Sequence, residues 1–219
     1  MKKIIFWNVD TQKDFMNPDG ALYVEGAESI KPNLKKLTDF AGEHNIMVVN
    51  TADMHNPPDE ELSDNPDFIN TFPPHCMNGS NGMEFIEETH PSCINTSVLS
   101  YNDSFNSIDV NAENIIIYKN KFDVFKGNPH TEQFLDLINP DIVIVYGVAT
   151  NVCVNCAILG LRKRGIEVIV INDAIKELPN LSVIDIYHEW DLKGVGFFTV
   201  NKLMDNLKTM IIQGINNDY

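Results

Sequence analysis

Ile142-Val-Ile-Val-Tyr-Gly-Val-Ala-Thr-Asn-Val-Cys-Val-Asn-Cys-Ala-Ile-Leu-Gly-Leu-Arg-Lys-Arg164 holds an apolar run, a glycine-bearing turn and an amphipathic helix in one stretch. Ile142 to Gly147 is continuously apolar rather than alternating, the pattern of a strand covered on both faces. Val152 to Arg164 reads as a helix, ended by Gly165. Working outward, runs of the same kind recur at Lys3 to Val9, Ile46 to Thr51, Ile115 to Tyr118, Glu167 to Ile171 and Gly196 to Val200. Helical patterns lie between them. Ile30, Leu34, Leu37 and Ala41 share one face after a Ser29 cap, with Pro32 in the tolerant first turn. Phe134, Leu135 and Ile138 mark another helix, and Ser182 to Leu192 and Asn201 to Ile212 supply two more. Strand and helix in alternation predict an α/β fold of three layers, α/β/α, with a doubly wound six-stranded parallel sheet.

The length of 219 residues suits a single domain spanning 1–219. With 43% hydrophobic and 21% charged residues, the chain can bury a sizeable core, which excludes disordered and disulfide-scaffold classes. The formal net charge of −15 would repel phosphate backbones and anionic headgroups, so neither nucleic acid nor membrane is an expected partner. Asn8 and Asp10 interrupt the first apolar run too early for a signal peptide. Four cysteines in a chain this long make no disulfide framework, and a cytoplasmic location is expected. Two stretches break the rhythm: the long loop Asn56 to Gly82, and Ser97 to Asn111, polar and Asn-rich. Loops of this length usually carry function.

Ligands of open α/β sheets bind beyond the carboxyl ends of the strands, so the residues just after each run are the place to look for chemistry. Asp10, Asp14 and Phe15 follow the first run, Asp53 and His55 the second, Lys119 the third, and Cys153 the fourth. Cys153 falls in the first turn of its helix, where free N–H groups and the helix dipole stabilise a thiolate. An isolated cysteine there is more often simply packed. Asp10 and Lys119, each closing its own strand, make an acid/base and an orienting cation available to Cys153 as nucleophile. Cys153 and Cys156 also spell C-x-x-C, but after the fourth strand rather than the first of a thioredoxin-like unit, which argues against redox chemistry. Asp53 and His55, one residue apart in extended chain, point to the same side. His75 in the long loop could close a site for zinc, iron or manganese, with Asp67 or Glu61 as a further ligand.

Val9-Asp-Thr-Gln-Lys-Asp-Phe15, Lys119-Asn-Lys-Phe-Asp-Val-Phe125 and Gly147-Val-Ala-Thr-Asn-Val-Cys-Val154, in this order and spacing, resemble the isochorismatase-like cysteine hydrolases. Asp53-Met-His55 with Phe72-Pro-Pro-His75-Cys resembles their nicotinamidase branch. The resemblance implies a six-stranded parallel sheet and a catalytic Asp10, Lys119, Cys153 triad. It implies an often cis Val148–Ala149 peptide, an oxyanion hole from the amides of Ala149 and Cys153, and Phe15 and Phe72 walling a substrate ring. It also implies one divalent metal ion on Asp53, His55 and His75, and a homo-oligomer, dimer or tetramer. The implied substrate is a small amide, nicotinamide foremost, cleaved to nicotinic acid and ammonia through a Cys thioester. Another small amide or a carbamoyl compound is the alternative. The chain departs from the branch at Phe72, often Trp there, at Glu61, often His, and at Gly79-Ser80, there Gly-Thr. Asn65-Pro-Asp-Phe68 is similar to a Pro-Glu-Phe variant, which makes Asp67 the first choice for the fourth ligand, with Glu61 or water as alternatives.

Overall fold

The computed structural model describes residues 2–92, 94–105, 108–179 and 182–217, with side chains as far as residue 210; Cys93 lies outside them. One parallel sheet runs through the molecule in the order β3-β4-β2-β1-β5-β6-β7. The strands are β1 (Ile4–Val9), β2 (Val48–Asp53), β3 (Thr96–Ser100), β4 (Asn114–Lys119), β5 (Ile142–Val148), β6 (Glu167–Lys176) and β7 (Gly196–Phe198). The helices are α1 (Lys13–Met16), α2 (Lys31–Glu43), α3 (Val124–Gly127), α4 (Thr131–Ile138), α5 (Asn155–Lys163), α6 (Ile184–Leu192) and α7 (Val200–Asn217).

Both sheet faces are covered, which explains the unbroken apolar runs. Alternate residues of one strand enter different cores: Ile5, Trp7 and Val9 of β1 pack with α4, α5 and Trp190 of α6. Phe6 of β1, with Ile144 and Tyr146 of β5, packs with Leu34, Leu37 and Phe40 of α2 and Leu203 and Leu207 of α7. A strand polar on alternate residues would strand unpaired groups in one of these cores. Asn8, the polar exception in β1, is buried and donates to Asn50 Oδ1 of β2 at 3.0 Å.

Four expectations need correction. The sheet has seven strands, not six: β3 overlaps the start of the stretch read as a polar loop. Only Leu99 and Ser100 of β3 are buried, so backbone pairing with β4, rather than an apolar pattern, makes the strand. β6 runs on to Lys176, past Ile171, through an irregularity in its pairing with β5. β7 ends at Phe198, and Val200 already begins α7. Ser29 does not cap α2: it sits in a 3₁₀ turn, Ala27–Ile30, and its Oγ donates to Gly26 O at 2.7 Å. No helix among the described residues is long and apolar enough to cross a membrane.

Candidate active site and metal centre

The chain lays β2, β4 and β3 on one side of β1 and β5, β6 and β7 on the other, so the crevice beyond the strand ends opens at β1. Asp10 follows β1, Asp53 ends β2, Lys119 ends β4 in register with Asp53, and Cys153 follows β5. Parallel pairing thus gathers four reactive groups from residues up to 143 positions apart (153 − 10) at one end of the sheet.

Lys119 joins them. Its Nζ lies 2.9 Å from Asp10 Oδ2 and 3.9 Å from Cys153 Sγ, and donates to Asp53 Oδ1. Carboxylate oxygens of Asp10 and Asp53 and the Cys153 sulfur all come within 4.8 Å of one another. Asp10 is aimed by a left-handed backbone, φ +48°, and by Thr51 Oγ1, which donates to its Oδ1 at 2.6 Å. Lys121, the other lysine of the Lys119-Asn-Lys motif, lies away from this group, beside Glu60 at 2.9 Å.

Burial sets the charges here. It works against the Lys119 ammonium, but Asp10 and Asp53 outweigh it and hold the pKa well above the ordinary lysine value. Burial also pushes Asp53 up, yet Lys119 and the two histidines overcome this and keep its carboxyl well below the usual range. Asp10 goes the other way: burial, opposed by Lys119 and aided by Asp53, raises it. The Cys153 thiol is likewise pushed well up by burial, with Lys119 opposing. This corrects the expectation of a thiolate made by a helix N-terminus. Cys153 sits in a π-helical turn, Thr150–Val154, ahead of α5, and in this dry setting a proton acceptor is needed to ionise it.

Asp53, His55 and His75 bring ligand atoms within 4.8 Å of one another. The His75 Nδ1 faces Pro73 O at 2.7 Å and the His55 Nδ1 faces Asp59 Oδ2 at 3.3 Å. Each oxygen accepts the Nδ1 proton, so each imidazole turns its Nε2 toward the group. His55 Nε2 is buried without a hydrogen-bond partner, and His75 Nε2 is 3.6 Å from Asp53 Oδ2. Burial lowers the His55 pKa, favouring the neutral, ligating form. Two imidazoles and a carboxylate fit a divalent ion. The structure does not bring Asp67 into this group: it is exposed, and its carboxylate accepts the N–H groups of Ile69, Asn70 and Thr71 in its own turn. Glu61 is closer to the chemistry. It is buried on the cleft wall, accepts the Phe122 N–H at 2.7 Å, and burial pushes its pKa up to about 7.

Above the sulfur is a narrow cleft with about 360 Å³ of empty space out to its open mouth. Phe15, Phe72 and Ala149 line it, as do Asp53, His75 and Cys153. The Val148–Ala149 peptide is cis. Leu22, Val24, Phe122, Val152 and Leu178 complete the wall; nothing in the sequence marks them out, because they come from four separate segments. The sequence reading also passed over Gln12. The Gln12 amide accepts from Asp53 N and donates to Asp53 O, both at 2.7 Å, and donates to Met83 O at 2.8 Å. Asp14 Oδ2 accepts the Cys76 N–H at 2.7 Å, tethering the segment that carries His75. For Gln12 the available signal was its place directly after β1, beside Asp10 and the Asp14 already singled out there.

Residues 100–183, which include Lys119 and Cys153, match the isochorismatase domain family. That segment is similar to an isochorismatase domain, and the likeness covers the strand ends that carry Lys119 and Cys153. The nicotinamidase/pyrazinamidase of Mycobacterium tuberculosis is 28% identical over 174 residues, covering 75% of this chain and 82% of that protein. Among solved structures, this chain superposes on the pyrazinamidase of Pyrococcus horikoshii in complex with zinc with a TM-score of 0.70 at 24% identity, covering 90% of this chain and 99% of that one. An isochorismatase family protein from Desulfovibrio vulgaris gives 0.74 at 18% identity, covering 95% and 100%.

Proposed function

We propose that this protein is an isochorismatase-like, metal-holding cysteine amidohydrolase that cleaves nicotinamide to nicotinic acid and ammonia, with Asp10, Lys119 and Cys153 as its catalytic residues. The observation that carries the reading is the junction of two groups on one aromatic cleft. A sulfur with a buried carboxyl and an ammonium stands beside two imidazoles, one of them with an unpartnered Nε2. The similarity to the M. tuberculosis nicotinamidase/pyrazinamidase supports the choice of amide.

Asp10, its basicity raised by burial, takes the Cys153 proton while Lys119 stays positive beside the forming thiolate. The sulfur attacks the amide carbon, and the oxygen, now negative, lies against the backbone amides of Ala149 and Cys153, each such donor contributing about 3 kcal/mol in comparable sites. Asp10 returns its proton to the nitrogen, the C–N bond breaks and ammonia leaves. A water that gives its proton to Asp10 then hydrolyses the Cys153 thioester, releasing the acid and the thiol. Phe15 and Phe72 sandwich the ring and exclude water. Asp53, His55 and His75 would hold a divalent ion, zinc, iron or manganese, whose Lewis acidity supplies an anchor for the ring nitrogen.

Ammonia release from nicotinamide by the purified, metal-loaded protein, with Cys153→Ala as the blank, tests the reading. Release by the wild type alone is expected. Turnover by the variant would overturn the role of Cys153, and an inert wild type shown to carry metal would move the substrate to other small amides or carbamoyl compounds.

A further inference from the structure

Asp67 is a surface carboxylate wholly engaged by its own turn. Its Oδ1 accepts the N–H groups of Ile69, Asn70 and Thr71 at 2.9, 2.8 and 2.8 Å and the Thr71 hydroxyl at 3.1 Å. Its Oδ2 accepts from Asn70 Nδ2 at 3.2 Å. Phe68, in a left-handed conformation at φ +57°, closes the turn by donating its N–H to Thr71 O at 3.0 Å. So many donors on one carboxylate hold its pKa well below the usual range.

The turn delivers Phe72, the next residue, to the cleft. The Phe72 backbone is tied on its other side, donating to Glu61 O at 2.8 Å and accepting from Ser63 N at 2.9 Å. Its ring is buried, edge-on to Phe68 with centroids 6.4 Å apart, and 6.3 Å from the His75 ring. Phe68 itself is 45% exposed, so little besides the turn keeps it against Phe72. We propose that Asp67 is a positioning residue for Phe72: its carboxylate folds the turn that braces this aromatic wall, and it is not a metal ligand. The inference rests on reading the cleft as the substrate site.

Asp67→Ala and Asp67→Asn, both in the full-length metal-loaded protein, test it. Asparagine keeps an oxygen acceptor for the same N–H groups, alanine does not. In the alanine variant, hydrogen exchange at Ile69, Asn70 and Thr71 should accelerate and bound metal per chain should stay at the wild-type level. KM for nicotinamide should rise about tenfold with kcat within about twofold, the mark of lost substrate positioning. Asparagine should restore both exchange and KM. Loss of metal with exchange unchanged would make Asp67 a ligand and overturn the proposal, as would faster exchange with KM unchanged. If the wild type leaves nicotinamide intact, the functional reading fails by itself. The bracing role is then decided by the rate of Cys153 alkylation with N-ethylmaleimide, mapped by peptide mass: acceleration in alanine with restoration in asparagine supports it, and equal rates refute it.

Discussion

Replacing Lys119 by methionine removes one ammonium from between two buried carboxylates while nearly keeping its volume. Asp10 and Asp53 are 0% and 2% exposed, so neither can turn to solvent once the cation is gone. Removing one member of a buried ion pair costs about 3–5 kcal/mol. A bound metal keeps Asp53 compensated, which leaves Asp10 as the main loss. For a chain of this size, at about 2–4 °C per kcal/mol, the melting temperature should fall by about 6–20 °C, and further without metal. Catalysis suffers separately. An ammonium 3.9 Å from the sulfur is worth about 4 kcal/mol to a thiolate at an effective dielectric constant of about 20. Its loss corresponds to about a thousandfold in kcat. Thermal unfolding and ammonia release, each with and without added metal, measure the two effects on one preparation. A melting temperature within about 2 °C of wild type, or kcat within about tenfold, would refute the account of Lys119 as the charge that holds this site together.

Two further substitutions probe neighbouring claims. Asp59→Asn keeps an acceptor for the Asn56 N–H but removes the carboxylate facing His55 Nδ1; metal affinity should weaken by about 10–100-fold in a chelator competition, and unchanged affinity would remove Asp59 from the support of the metal site. Gly147→Ala should be among the most damaging single changes: φ is +117°, and a Cβ there would lie 2.1 Å from Val9 O, the backbone just before Asp10. A loss above about 3 kcal/mol in denaturant unfolding, or no folded protein, is expected, and a loss below about 1 kcal/mol would contradict this β1–β5 contact.

The continuous apolar runs already determine a parallel sheet covered on both faces, since a strand alternating in polarity could not be buried twice. With that sheet came its consequence: polar residues directly after the runs, Asp10, Asp53, Lys119 and Cys153, share one end of the molecule. What the sequence could not carry is whatever depends on which distant group stands opposite. β3 exists because β4 offers it backbone partners, and its side chains give little sign of this. Asp67 and Glu61 look alike as candidate ligands. Only the folded loop turns Asp67 onto its own amides and buries Glu61 against Phe122 N–H. The same holds for the charges. A helix N-terminus seen in sequence argues for a low thiol pKa, but desolvation and two nearby carboxylates, set by the packing of β1, β2 and β5, push Cys153 the other way. Periodicity reports which face of an element is buried, whereas ionisation and ligand geometry depend on distances of a few ångströms between segments far apart in the chain, and those exist only after folding.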